Sequence, residues 1–145
     1  MTELSDLRQE EITTVREFLA ALEVDAVEEA LELVTGDVAW INTSLPTVHG
    51  IDALRRALEL GPKIHLGFEA HIHQIAADDS VVLTERTDVL RFGPVRVAFW
   101  VCGTFELRNG KIAIWHDHFS WGAILRGAVV GVVERVLPRR RLQFS

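Results

Sequence analysis

Val81-Val82-Leu83-Thr84-Glu85-Arg86-Thr87-Asp88-Val89-Leu90 is the stretch on which the fold turns. β-Branched residues, Leu and Thr dominate it, and Asp78-Asp79 before it and Phe92-Gly93-Pro94 after it read as turns, so it is a strand. Side chains alternate between the faces of a strand, which puts Val82, Thr84, Arg86, Asp88 and Leu90 on one side. An Arg and an Asp two residues apart on an otherwise apolar face are unusual. If exposed, such a pair contributes well under ~1 kcal/mol. It carries chemistry only if that face is covered and a further polar group converges on it.

Register counting locates such a group. Val95 to Leu107 and Lys111 to Phe119 read as two further strands joined at Asn109-Gly110, a strong hairpin signal because both central residues must take positive φ. Setting Arg108 opposite Lys111 places Asp117 opposite Cys102, on the face of Trp100, Thr104 and Phe119. A loop of odd residue count at Phe92-Gly93-Pro94 sets Asp88 opposite Ala98 and Arg86 opposite Trp100, so that Arg86, Asp88 and Asp117 share a face. An even count turns Arg86 and Asp88 to the other side. Pro94, which has no N–H to donate to a ladder, suits the odd case.

The order of elements sets the fold class. Leu7 to Leu22 is an amphipathic helix with Ile12, Val15, Phe18, Leu19 and Leu22 on one stripe and Ser5 or Asp6 as N-cap. Asp25 to Val34 is a second helix, opened by something close to a capping box at Asp25 and Glu28 and broken at Gly36-Asp37. Val38 to Asn42 is extended, and Ser44 to Gly50 is a loop. A third helix, Ile51 to Leu60, stops at Gly61-Pro62. Phe68 to Ile75 is a strand ahead of the meander, and Trp121 to Leu137 is helical in part, weakened by Gly122, Gly127 and Gly131. Helices, then antiparallel strands, then a last helix imply an α+β fold, with helices closing the concave face of a curved sheet. A covered face bearing two carboxylates, an arginine and aromatic side chains is the default binding site.

Composition bounds the function. The 145 residues fit one domain, 1–145, with 48% hydrophobic and 25% charged residues. A net charge of −6 argues against a nucleic-acid partner, and Arg139-Arg140-Arg141 is too short a run to reverse it. One cysteine, Cys102, excludes an intrachain disulfide, and with a polar start from Met1 to Glu11 it indicates a reducing cytoplasm. The apolar run Gly127 to Val133 is too short for a membrane span. Tyr is absent, which removes phenol-based mechanisms.

Other chemistries have weaker support. His71-x-His73 and His116-x-His118 have a spacing that holds Zn²⁺, but His116 and His118 point away from Asp117 and no Cys or carboxylate joins them at a ligand spacing. The expectation is therefore no metal and no cofactor. Ser44, Ser80 and Ser120 lack a nucleophile elbow, and phosphate-cradling glycines are missing. Two carboxylates sharing one guanidinium in a low-dielectric pocket titrate together, and a state with one acid and one base suits acid–base catalysis. The bland alternative is a buried structural triad that fixes strand register.

These residues resemble the limonene-1,2-epoxide hydrolase family, within the cone-shaped α+β superfamily of nuclear transport factor 2 and ketosteroid isomerase. The resemblance runs from about Val15 to Ala128. It is carried by Leu83 to Leu90 with its Arg-x-Asp, by Trp115-His116-Asp117-His118-Phe119, and by Trp40-Ile41-Asn42 with Pro46 and Gly50.

The resemblance implies hydrolysis of an apolar epoxide (terpene, sterol or fatty) to a vicinal diol, with no covalent intermediate. Asp117 would be the general base on water, Asp88 the acid on the epoxide oxygen, Arg86 the bridge between them, and Asn42 a water ligand. Trp40, Leu90, Trp100 and Phe119 would line the substrate pocket. Trp40 stands where the family holds its water with a tyrosine. The resemblance also implies a homodimer joined sheet to sheet, for which Val101, Phe105, Leu107, Ile112 and Ile114 supply an apolar face opposite the pocket. The alternatives are an isomerase of the ketosteroid type, which wants a tyrosine donor that this chain lacks, and a non-catalytic lipid-binding or dimerisation module.

Overall fold

Three two-residue turns fold the middle of the chain back on itself. The structure is a computed structural model and describes residues 2–137. Strands β3 (Leu66–Asp78), β4 (Val81–Phe92), β5 (Val95–Arg108) and β6 (Lys111–Phe119) are joined at Asp79-Ser80, Gly93-Pro94 and Asn109-Gly110. Asp79, Ser80, Asn109 and Gly110 all have positive φ, as a tight hairpin with the strand twist requires. Gly93 has φ 57° at the first central position, where a glycine is favoured.

Two further strands, β1 (Val34–Asn42) and β2 (Val48–His49), complete a six-stranded sheet of order β2-β1-β6-β5-β4-β3. All neighbours are antiparallel except β1 and β6, which run parallel with Trp40 beside Trp115 and Asn42 beside Asp117. The sequence reading expected antiparallel strands throughout. It took Gly36-Asp37 as a helix break, whereas both residues lie within β1, at a register shift against β6.

Helices α1 (Thr2–Glu23), α2 (Val27–Leu31) and α3 (Ile51–Lys63) cover one face of the sheet. Val15, Phe18 and Leu19 of α1 and Leu54 of α3 pack with Val82, Phe105, Ile112 and Trp115 as the fully enclosed centre of the core. Ser5 and Asp6 lie inside α1 rather than capping it, and α2 begins after Ala26 with no side-chain cap. The third helix runs through Gly61-Pro62 and ends one residue later at Lys63, because a proline near a helix end removes only one ladder bond.

Helix α4 (Trp121–Val136) is continuous despite its glycines, and packing explains them. Residues 95–100 of β5 have no β6 partner, and α4 lies along that open edge. A Cβ on Gly127 would overlap the Ala98 carbonyl, and one on Gly131 the Arg96 carbonyl. The helix cannot come that close with larger residues there. Among the described residues no helix is long and apolar enough to cross a membrane. Arg139-Arg140-Arg141 lies outside the described residues.

Register assigns the faces differently from the sequence count. The Gly93-Pro94 loop holds two residues, an even count, so Arg86 faces Val101 and Asp88 faces Phe99. In the next hairpin Ala113 is an extra residue in β6, so Asp117 faces Gly103 instead of Cys102. The two one-residue shifts compensate, and Arg86, Asp88 and Asp117 still share a face. The faces of β5 are exchanged, however. Val101, Phe105 and Leu107, with Ile112 of β6, are buried under the helices. They are not the outer apolar surface expected for dimerisation, and only Ile114 of that set, half-buried, turns outward beside Glu106.

Candidate active site

Strand alternation along β4 sends Thr84, Arg86 and Asp88 inward together, and all three are buried. Arg86 is fully enclosed. Its Nε donates to Asp88 Oδ1 at 2.9 Å and its Nη2 to Asp88 Oδ2 at 2.8 Å, a two-point clasp that fixes both planes. Its Nη1 donates to Thr84 Oγ1 at 3.2 Å, and Nη2 lies 3.2 Å from Asp117 Oδ1 across the sheet. One guanidinium thus joins carboxylates from two strands.

Such proximity requires a gap in the strand between them, and Gly103 of β5 provides it. A Cβ there would stand 2.5 Å from Arg86 Nη1, 2.7 Å from Thr84 Oγ1 and 3.0 Å from Asp117 Oδ1. The guanidinium lies over a glycine because nothing larger leaves room for it.

Burial raises the pKa of Asp117 to about 6, the Arg86 charge pulls it down, Asp88 pushes it up, and the Trp115 indole beside it works in the same direction as Arg86. Burial by itself would lower the pKa of Arg86, but the Asp88 hydrogen bonds and the charges of Asp117 and Asp88 more than reverse this, and it stays cationic. The cluster holds a fixed positive charge beside a carboxylate that titrates close to neutrality.

Both carboxylates open on a cavity of about 400 Å³ between the sheet and the helices. Apart from Asp25, Asn42, Asp88 and Asp117, every side chain lining it is apolar, and Arg86 stands behind the wall. The parallel β1–β6 pairing brings Asn42 alongside Asp117. Thr43 secures that pairing: its hydroxyl donates to the Asp117 carbonyl at 3.5 Å and accepts from the Phe119 N–H at 3.2 Å. Trp40 stacks on Trp115 with ring centroids 4.4 Å apart and planes at 12°.

Arg86, Asp88 and Asp117 therefore converge, Asn42 joins them, and Trp40, Leu90 and Phe119 line the cavity. Trp100 does not. It is 51% exposed on the opposite face, because the even turn and the Ala113 bulge hand its inward place to Phe99 and Val101. His116 and His118 also lie on that outer face, opposite Thr104 and Cys102, with ring centroids 3.8 Å apart. His73 bonds Thr87 Oγ1 and His71 bonds Glu69. Among the described residues no group of three or more His, Cys, Asp or Glu is placed to hold a metal ion.

The sequence reading assigns no role in the site to three residues at the cluster, Gly103, Thr84 and Trp115. Gly103 had a legible signal, since an isolated glycine inside a strand marks close approach of another group. Thr84 sits one step along the same face as Arg86, and Trp115 one step along from Asp117. The helical part of the lining, including Leu22, Leu58 and Leu60, carries no sequence signal that separates it from ordinary core.

A curved sheet closed by helices over a buried charged cluster is the fold of the nuclear transport factor 2-like class. A solved protein of that class from Burkholderia pseudomallei, of unknown function, superposes with a TM-score of 0.72 at 17% identity, covering 82% of this chain and 97% of its own, a likeness of fold alone. The sequence profile of the limonene-1,2-epoxide hydrolase catalytic domain matches residues 9–129. Epoxide hydrolase EphG of Mycobacterium tuberculosis is 38% identical over 126 residues, 86% of this chain and 83% of that protein. A solved LEH-like epoxide hydrolase from M. tuberculosis superposes with a TM-score of 0.84 at 36% identity, covering 89% of this chain and 96% of the other. The chain belongs to the limonene-1,2-epoxide hydrolase family and is an epoxide hydrolase of that type.

Proposed function

We propose that this enzyme adds water to an apolar epoxide (terpene, sterol or fatty) in one step, giving a vicinal diol with no bond between enzyme and substrate. The observation that carries the reading is that two carboxylates, linked from behind by Arg86, lie together in a cavity whose remaining lining is apolar but for Asn42 and Asp25. Water is a weak nucleophile and an alkoxide a poor leaving group, so removing one proton while supplying another lowers the barrier most.

Asp117 takes a proton from a water held with the help of Asn42, and the water oxygen attacks one epoxide carbon. The C–O bond breaks and its electron pair takes the proton carried by Asp88. Asp117 ends protonated and Asp88 ionised, and the proton returns through the Arg86-linked pair. A base with a pKa of about 6 is ionised at neutral pH yet accepts a proton more readily than an ordinary carboxylate. A proton on Asp88 removes the like charge that raises Asp117 and so favours the ionised base.

The test is a single turnover in ¹⁸O-water with enzyme in excess. Labelled diol and unlabelled aspartates are expected. Unlabelled first-turnover diol means that a carboxylate attacked the epoxide, and it overturns the one-step reading.

The protein assembles, on this reading, as a cytoplasmic homodimer, the lone Cys102 suiting a reducing compartment. Support for a second copy comes from exposed apolar residues at other positions than the sequence suggested: Leu125, Val129, Val132 and Val136 form a stripe along α4, and Trp100 adds to the outer surface. A monomer in sedimentation at micromolar concentration would contradict it.

A further inference from the structure

The centre of the site contains an unpaired donor and an unpaired acceptor. The Trp115 indole N–H and Asp117 Oδ1 are both closed off from solvent, and neither has a hydrogen-bond partner among the described residues. Among the described residues the one contact of Oδ1 with a charged group is the 3.2 Å ion pair to Arg86 Nη2. A buried polar group left alone is costly, and native proteins pair nearly all of them. Trp115 and Asp117 are two residues apart on one face of β6, about 7 Å along the strand, a span that an indole ring bridges.

We propose that Trp115 is a positioning residue for Asp117: its indole N–H donates to Oδ1, leaving Oδ2 aimed into the cavity as the atom that takes the proton from water. The inference rests on the reading of Asp117 as base and adds to it the residue that aims that base. Trp40, stacked flat on Trp115, keeps the indole plane in place, and Phe18 packs edge-on against the same ring at 5.0 Å. The Trp40 N–H is likewise enclosed and unpaired. It belongs to the neighbouring strand and sits beside Trp115, whereas Asn42 sits beside Asp117.

The direction of titration agrees with this geometry, since the Trp115 indole works against burial in setting the proton affinity of Asp117. The other groups facing Asp117 are Arg86 and Asp88 from β4, and Thr84 and Gly103, which do not titrate. Asp25 lies at the exposed end of the cavity, and α3 and α4 present only apolar side chains to it.

Two measurements test the assignment. In the wild-type enzyme, the indole ¹H–¹⁵N resonance of Trp115, assigned through the backbone, should move downfield as Asp117 ionises between about pH 5 and about pH 8, and should not move in Asp117→Asn. In Trp115→Phe, the acid limb of kcat/KM should shift upward by about one pH unit, a loss of about fivefold at pH 6 that fades at pH 9. Trp115→His, which restores an N–H, should bring the limb part of the way back. Trp40→Phe, which keeps a ring stacked on Trp115 but removes the Trp40 N–H, should leave the position of the limb unchanged whatever it does to the rate.

A Trp115 resonance that does not follow pH, a pH-independent loss in Trp115→Phe, or a limb moved by Trp40→Phe instead would overturn the assignment. Those results leave the base reading intact as long as Asp117→Asn is inactive. An active Asp117→Asn would overturn the base reading, and the indole titration would still report the hydrogen bond.

Discussion

Replacing Asp117 with Asn tests the site through stability as well as through turnover. Burial holds the folded-state pKa of Asp117 at about 6 against an ordinary value of 3.8. A group whose pKa is raised in the fold contributes stability in its protonated form, below the unfolded value, and that contribution is lost as pH rises through the folded value. The loss begins near pH 4 and is complete above about pH 7, at a total of about 3 kcal/mol. The attraction of Arg86 is already inside that figure, because the pKa is the net of burial, Arg86 and Asp88. Asn resembles the protonated acid at every pH. The variant should therefore be more stable than the parent at pH 8 by up to about 3 kcal/mol, with the difference vanishing near pH 4. Urea unfolding of both proteins across that range in matched buffers reads it directly. On the proposed mechanism the same variant lacks its base and should lose at least about 10²-fold in kcat. A variant less stable than the parent at pH 8, or a stability difference that ignores pH, would refute the reasoning that burial dominates this carboxyl.

Gly103→Ala should be costly although the substitution adds only a methyl group. Its Cβ would press on Arg86 and Thr84, and Arg86 is clasped too tightly by Asp88 to move aside, so about 1–3 kcal/mol of stability should go, read by thermal or urea unfolding. Activity should fall with it, because separating Arg86 from Asp117 breaks the pair, and an unchanged kcat/KM would show that the two carboxylates need no link. Trp40→Tyr should fold and keep or raise kcat/KM, up to about tenfold, because the Trp40 N–H is enclosed and a phenol both donates and accepts. A large fall in kcat/KM with intact unfolding behaviour would show that the indole itself is needed.

The chain by itself determined most of the elements and the family. Alternation along Val82 to Leu90 put Arg86 and Asp88 side by side, and Asn109-Gly110 fixed the last hairpin, because side-chain period and turn sterics are local properties. The motifs around Arg86, Asp117 and Asn42 were sufficient to mark the family. Where each strand faced was not legible in the same way. A turn of two residues rather than three and the single extra Ala113 each reverse a strand, and such one-residue choices are settled by what must be buried beneath the helices. Hence Trp100 went outward while Phe99, Val101 and Phe105 went in. The parallel pairing of β1 with β6, which sets Asn42 beside Asp117 and Trp40 beside Trp115, joins segments some 75 residues apart with no local signal. Only the packed molecule decided it, because a pairing across that distance is stabilised by the core it closes and not by the residues that pair.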